Sequence, residues 1–184
     1  MSSTDADASA RIIAGRYRLG PTLGSGAYTK SFDAIDLDSD SPVVVKVLPS
    51  QFGSSAAFVE RFHADLVVAA SLEHPNIVRI LDFGVEEVGA KSYPFVVSEQ
   101  VVGGSLRGML DRGRLLSASQ ALTIALDACR ALAHAHARGL IHGAVNPSNL
   151  LFDAERRVKV ADFAISRLVG DIAWRNPSRL ALDV

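Results

Sequence analysis

The chain has 184 residues, and 48% of them are apolar, which is typical of a packed globule with one or two modest domains. Nineteen basic and twenty acidic residues give a net charge of −1, so composition predicts no general attraction to nucleic acid or to a membrane surface. The sequence has no apolar run of membrane-spanning length and no signal-peptide pattern at its N-terminus, and we therefore expect a cytoplasmic protein.

Cys129 is the only cysteine, so no disulfide can form within the chain. It lies on the apolar stripe of a predicted helix, where a small, buried hydrophobic residue is expected.

The first half of the chain predicts a sheet with one helix. Residues 1–14 are small and polar, which indicates a disordered segment. Alternating apolar residues then predict five strands, and a helix with Phe58, Phe62, Leu66 and Ala69 on one face is inserted among them. The predicted strands are 17–23, 31–37, 43–48, 77–83 and 95–100, and the helix is 54–72.

The second half predicts helices after a flexible joint at Gly103 and Gly104. A short helix is expected over 105–111 and a long one over 117–138, with a capping box at its start and Gly139 as its left-handed C-cap. Its apolar stripe contains Leu122, Ala125, Leu126, Cys129, Leu132, Ala133 and His136.

The order of elements predicts an α+β fold, with a sheet domain over 15–101 and a mainly helical domain over 102–184. We expect part of the apolar surface of the long helix to be exposed or covered by a partner.

Two motifs follow the long helix. The sequence His142-Gly-Ala-Val-Asn-Pro-Ser-Asn149 is followed, thirteen residues after Asn149, by Asp162-Phe-Ala. They resemble the catalytic loop H-R-D-x-K-x-x-N and the D-F-G turn of protein kinases. The resemblance implies that Asn149 and Asp162 are catalytic residues that hold Mg²⁺, whereas His142 is expected to pack and to form hydrogen bonds.

Three of the positions that depart from this pattern bear on the chemistry or the backbone of the site. Ala144 stands at the family's catalytic aspartate, so it cannot accept the proton of a substrate hydroxyl. Asn146 stands at the loop lysine and lacks its positive charge. Ala164 replaces the glycine of the D-F-G turn, which should restrict the backbone.

Gly24-Ser25-Gly26-Ala-Tyr-Thr29 resembles the kinase glycine-rich loop, with Thr29 in place of the third glycine. The resemblance implies that these residues contact the phosphates of ATP. The same stretch nearly matches the G-x-x-x-x-G-K-[ST] loop of nucleoside triphosphatases, which requires a helix immediately afterwards. The residues that follow alternate like a strand, so this alternative is disfavoured.

The remaining nucleotide-binding positions also resemble those of kinases. Lys46 ends Val-Val-Val-Lys, similar to V-A-I-K, and Asp65 stands where the family has the glutamate that pairs with this lysine. Aspartate is one methylene shorter, so the pair needs an inward helix shift or a bridging water. Glu99 and Val101 match the hinge that bonds adenine through its backbone.

Val44 replaces the family's usual alanine and Ser31 its usual valine beside the adenine. The resemblance implies ATP and Mg²⁺ as ligands, and these two departures imply that the binding is weakened or lost.

The resemblance covers residues 16–170, corresponds to the first part of a kinase domain, and is strongest to bacterial Ser/Thr kinases. The missing base favours a pseudokinase that acts in regulation or scaffolding by binding another protein. An atypical Ser/Thr kinase with weak phosphoryl transfer and an interaction domain that binds no nucleotide stay open as alternatives.

Overall fold

The computed structural model describes residues 11–25, 29–165 and 167–168. A six-stranded antiparallel sheet forms the first part, in the order β1-β2-β3-β4-β6-β5. Its strands are β1 (Ile12–Ile13), β2 (Tyr17–Ser25), β3 (Lys30–Asp36), β4 (Ser41–Val47), β5 (Ile80–Val88) and β6 (Lys91–Glu99). This confirms the predicted α+β fold, and the short strand β1 adds a sixth strand to the five predicted.

One face of the sheet carries a buried core. Val43, Val45 and Val47 of β4 are buried and alternate with half-buried Val44 and Lys46. Because side chains alternate between the faces of a strand, buried residues of β1, β2, β3, β4 and β6 meet in one core, whereas β5 has none. That core contains Ile13, Tyr17, Leu19, Phe32, Ala34, Val43, Val45, Val47, Tyr93, Phe95 and Val97.

The prediction of disorder over residues 1–14 is wrong for residues 11–14, while residues 1–10 lie outside the described part. Ile13 is completely buried in the core, and β1 pairs with β2 through Ile12 opposite Arg18. The backbone N–H of Ala14 donates to the Glu86 carboxylate at 2.8 Å. The composition of the segment did not predict strand β1, because the strand consists of two adjacent isoleucines that follow small polar residues.

A bidentate ion pair fastens the beginning of β2 to the end of β3. Arg16 donates from Nε and NH2 to the two Asp36 oxygens at 2.7 and 2.8 Å. These hydrogen bonds hold the pKa of Asp36 well below its usual range. Burial, followed by the hydrogen bond to Asp82, raises the pKa of Tyr17 above its usual value.

Two helices lie between β4 and β5. The short helix α1 (Ser50–Gly53) packs on β6, where a Cβ on Gly53 would collide with the Ser92 carbonyl. Helix α2 (Ala56–Ala70) buries Phe58, Phe62, Leu66 and Ala69, the face predicted from the sequence. The predicted strand over 77–83 begins later, at Ile80, because Ile77 and Val78 pair elsewhere.

The chain divides into two compact units. Among the described residues, the first contains the chain up to His63 and Ile80–Gln100, and the second contains Ala64–Arg79 and the chain from Val101. The division at Val101 lies next to the predicted domain boundary. The end of α2 and the loop that follows it belong to the second unit, which the sequence did not indicate.

From Val101 onward, the described part of the second unit contains two helices and a small hairpin. These are α3 (Leu106–Asp111), α4 (Ala118–His136), β7 (Leu150–Phe152) and β8 (Val158–Val160), with a 3₁₀ turn at Pro147–Asn149. Gly103 must be a glycine, because its N–H donates to the Phe152 carbonyl and a Cβ there would collide with the same carbonyl. The predicted capping box of α4 and the left-handed Gly139 are both present.

Helix α4 packs through a face different from its predicted stripe. Asp127, Ala128, Ala131 and Ala135 are buried, and the Asp127 carboxylate accepts a hydrogen bond from the backbone of Val158. Cys129 is exposed, so the prediction that it is buried is wrong. Both faces of α4 are apolar, and helical periodicity alone does not decide which of them meets the core.

The expected exposure of apolar surface on α4 is confirmed. Leu122 is 72% exposed and Leu126 is 52% exposed. No helix within the described ranges is long and apolar enough to cross a membrane.

Replacing Ile13 with alanine should lower the free energy of unfolding by about 2–4 kcal/mol, since the change opens a cavity in the core. The neighbouring change Ile12→Ala is the matched control, because Ile12 is 44% exposed and should cost less than about 1 kcal/mol. Urea unfolding of both variants measures the difference. Equal, small losses would show that β1 is not part of the core.

Candidate active site

The catalytic-loop segment of the second unit is organised around the backbone of Ala144. Its N–H donates to His142 Nδ1 at 3.2 Å. Its carbonyl accepts from the side-chain amides of Asn146 at 3.0 Å and Asn149 at 3.1 Å. The loop is therefore held by hydrogen bonds to the backbone of the residue that replaces the catalytic aspartate.

Both ends of the Asn146 side chain are engaged within the loop. Its Nδ2 donates to Ala144, and its Oδ1 accepts from the backbone of Ser148 at 2.8 Å, which caps the 3₁₀ turn. At the position of the family's loop lysine, the side chain thus turns back onto its own loop. It therefore supplies no positive charge for a phosphate, and one of its amide N–H donors is used by the loop itself.

His142 is a buried structural residue, as predicted. Because Nδ1 accepts the N–H of Ala144, the proton lies on Nε2, which donates to the Ala161 carbonyl at 2.7 Å. Burial lowers the pKa of His142 below its ordinary value. Its ring meets that of Phe163 edge-on at 4.7 Å, so the neutral imidazole joins the catalytic loop to the turn after Asp162.

Asn149 is buried and oriented. Its Nδ2 is fixed on the Ala144 carbonyl, which leaves Oδ1 as the atom that a metal could contact. Its own carbonyl accepts the N–H of Ala161 at 2.8 Å. An amide oxygen is a suitable ligand for Mg²⁺, so this predicted site residue fits the ion.

The turn that contains Asp162 uses two left-handed residues. Asp162 has φ +66° and Ala164 has φ +70°. Aspartate tolerates this region, whereas alanine adopts it at a cost of about 1 kcal/mol, a cost that glycine does not have. Ala164 is fully buried, and its φ keeps the left-handed backbone that the family's glycine would favour.

Arg167 contributes a contact that sequence reasoning missed. Its NH2 donates to Asp65 Oδ2 at 3.0 Å, within the second unit. Its Nε is buried and has no hydrogen-bond partner. Gly143 lies beside Arg167 and has φ +77°, a backbone conformation that favours glycine. The only signal in the sequence was a glycine where the family has the loop arginine.

Asn76 joins the loop after α2 to strand β8. Its side-chain amide donates to the Val158 carbonyl, and its own carbonyl accepts from Val160, both at 2.8 Å. Val78 also donates to Val160 at 2.9 Å. These bonds fix the strand that leads directly to Asp162.

The phosphate-loop candidates lie in the first unit. Gly24 pairs with Ser31 and Ser25 with Lys30, so the loop connects two antiparallel strands. Strand β3 begins at Lys30, where the nucleoside triphosphatase loop requires a helix, and that alternative is therefore excluded. Thr29 directly precedes β3, and Gly26 lies outside the described residues.

The predicted pocket residues of the first unit share one face of the sheet. Lys46 lies opposite Ser31 in the β3–β4 ladder, and Val44 is two residues from Lys46. These three side chains are half-buried, on the face opposite the core. The sheet therefore brings Lys46 together with Val44 and Ser31, the two residues that depart from the family pattern beside the adenine.

The hinge candidates sit at the division between the units. Glu99 ends β6 and pairs with Val43, and Val101 begins the second unit. Lys46 and Asp65 belong to different units, so their ion pair stays a prediction.

The comparisons agree with this arrangement of strands, loops and turn. A family model described as the protein kinase domain matches residues 17–174. The chain belongs to the protein kinase family. A probable serine/threonine-protein kinase of Streptomyces coelicolor is 36% identical over 161 residues, which are 88% of this chain and 24% of that protein.

Further relatives point the same way. The serine/threonine-protein kinase PknB of Mycobacterium leprae is 37% identical and covers 86% of this chain and 26% of its own length. A crystal structure of a double mutant of the Mycobacterium tuberculosis PknI kinase domain aligns with a TM-score of 0.76 and 30% identity, over 86% of this chain and 62% of that one. The chain thus spans about a quarter of the length of these two curated kinases.

The burial of neutral His142 predicts a specific pH dependence. Its folded-state pKa is lowered, so the unfolded chain binds the proton more readily. Stability should therefore be full well above the ordinary pKa of 6.5 and should fall as the pH drops below it, by up to about 1.4 kcal/mol per pH unit.

Urea unfolding at pH 7.5, 6.5 and 5.5 tests this, with His142→Asn as the comparison. The variant should lose less stability on acidification. His74, whose pKa burial also lowers, is present in both proteins, so the difference in slope isolates His142. Parallel slopes would contradict the assignment.

Proposed function

We propose that this kinase-family chain is a cytoplasmic pseudokinase domain that binds ATP with Mg²⁺ weakly, as a structural ligand, and acts by binding another protein. The observation that carries the proposal is the hydrogen-bond pattern of the catalytic loop. Ala144 has no proton acceptor in its side chain, and Asn146 is engaged by Ala144 and Ser148. General-base catalysis contributes about 10²–10⁴-fold to a rate, and the loop contains no group placed to supply it.

The neighbouring groups do not supply a substitute base. His142 is already committed at both nitrogens. Burial disfavours the ionised form of Asp153, but hydrogen bonds from the backbone and side chain of Arg157 outweigh it and lower the pKa of Asp153. A carboxylate held this way is a weak base. Asp171 lies outside the described residues.

Retention of the metal-binding positions supports nucleotide binding. Asn149 keeps its oriented amide oxygen, and Asp162 keeps its place on the turn after β8. Bound Mg²⁺ would screen the phosphate charges. Lys46 stands on the half-buried face of the sheet, where an ammonium could meet a phosphate. Val44 and Ser31 lie on the same face, and their altered bulk supports weak rather than tight binding.

Exposed aliphatic surface supports a role in protein binding. Leu122 and Leu126 lie one turn apart on α4, and Leu115, just before the helix, is 91% exposed. Exposed aliphatic side chains grouped in this way are typical of interaction surfaces.

Weak phosphoryl transfer is the second candidate, and the retained Asn149 and Asp162 favour it. An interaction domain without nucleotide is the third, and Val44 and Ser31 favour that one. Nucleotide binding separates the third candidate from the other two.

Thermal unfolding with ATP, with and without Mg²⁺, tests the nucleotide part of the proposal. At one hundred times the dissociation constant a ligand stabilises by about 2.7 kcal/mol, which corresponds to roughly 5–10 °C for a chain of this size. We expect a Mg²⁺-dependent shift in the wild type that is lost in Lys46→Ala and reduced in Asp162→Asn.

Arg18→Ala serves as the control, since it removes a cation elsewhere on the sheet and should keep the shift. No shift at millimolar ATP would contradict nucleotide binding. A shift that survives in Lys46→Ala would place the nucleotide elsewhere.

A further inference from the structure

A cleft of about 220 Å³ lies in the second unit between α3, α4 and the β7–β8 hairpin. Met109, Phe152 and Val158 form its floor and are all at least 92% buried, while Leu116 and Ile124 line its sides. Its interior is therefore apolar and pre-formed by residues that the core already holds in place. None of these residues belongs to the candidate active site.

The volume of the cleft suits one or two side chains of a bound peptide better than a complete small-molecule ligand. Clefts that enclose drug-sized molecules are about 300–1,000 Å³, so this one is too small for such a molecule. One or two aliphatic side chains of a peptide would fill it. Ser119, Gln120 and Thr123 lie on the helix at its edge and offer polar groups to a peptide backbone.

The rim of the cleft carries positive charge. Arg156 lines it, with its guanidinium 5.9 Å from the centroid of the Phe152 ring. Arg156 pairs with no carboxylate in the described part of the chain, whereas the adjacent Arg157 pairs with Asp153 and Glu155.

An apolar interior beside the uncompensated guanidinium of Arg156 favours a ligand that has both aliphatic and acidic groups. Arginine forms charge-assisted, often bidentate hydrogen bonds with carboxylates. A basic peptide would be repelled, and a purely aliphatic one would leave Arg156 without a partner. A segment that alternates aliphatic and acidic residues meets both requirements.

We propose that this cleft docks a short acidic–aliphatic peptide segment of a partner protein, with leucine-like side chains on Met109 and Phe152 and a carboxylate on Arg156. The inference rests on the proposed role as an interaction module and names the chemistry of the partner. It does not involve the nucleotide, so ATP binding and peptide docking can fail independently.

Two synthetic peptides test the proposal on the full chain. They are acetyl-Leu-Glu-Leu-Glu-Leu-amide and its neutral counterpart acetyl-Leu-Gln-Leu-Gln-Leu-amide, titrated while backbone amide NMR shifts are recorded. The acidic peptide should bind at least about tenfold more tightly and should shift the amides of Ser119, Thr123 and Arg156.

Three variants locate the binding. Arg156→Gln should reduce the preference for the acidic peptide to about twofold or less, while Arg18→Gln, which removes the same charge from the first unit, should preserve it. Thr123→Trp, at an exposed position lining the cleft, should fill it and abolish binding of both peptides. Equal affinity for the two peptides, shifts outside the cleft, or unchanged binding by Thr123→Trp would overturn the proposal, as would no binding at millimolar peptide.

Discussion

The hydrogen bonds to the backbone of Ala144 hold the catalytic-loop segment together. Its N–H fixes His142 in one neutral form, and its carbonyl gathers the amides of Asn146 and Asn149. His142 then reaches Ala161, so the same network sets the start of the turn at Asp162. None of these bonds uses the side chain at position 144, which explains how the loop keeps its shape without the family's aspartate.

Throughout the second unit, the contacts that set the backbone shape are separate from the groups that would carry out the chemistry. Asn76 and Asp127 hold β8 from two directions by bonding its backbone. Arg167 bonds Asp65 on α2 and lies against Gly143. The contacts that position Asp162 are thus independent of the groups that would move a proton. Such an arrangement supports the proposed role, in which a binding surface is kept and catalysis is lost.

Much of this structure could be predicted from the sequence, for physical reasons. The run of β-branched valines in β4 favours a strand, and the capping box at Ser117 fixes the start of α4, so these elements are specified locally. The order and spacing of the motifs then placed Lys46, Asn149 and Asp162 on their elements. The nucleoside triphosphatase alternative was also decided by a local feature, the strand after Lys30.

The errors arose where local pattern does not determine the outcome. Cys129 and Ala128 are adjacent on a helix that has apolar residues on more than one face, and tertiary packing on β8 decides which of them is buried. Ile13 is buried because β1 pairs with β2 in the sheet, not because of its own neighbours. The Arg167–Asp65 pair joins residues about a hundred positions apart, and no periodic pattern in the sequence predicts a contact over that separation.

The most direct test of the central claim is phosphoryl transfer from radiolabelled ATP to a generic protein substrate by the purified chain, compared with Asp162→Asn. With no base at Ala144, wild type and variant should give the same background incorporation. Transfer by the wild type that disappears in Asp162→Asn would contradict the account and would identify the chain as an active kinase with an unrecognised base.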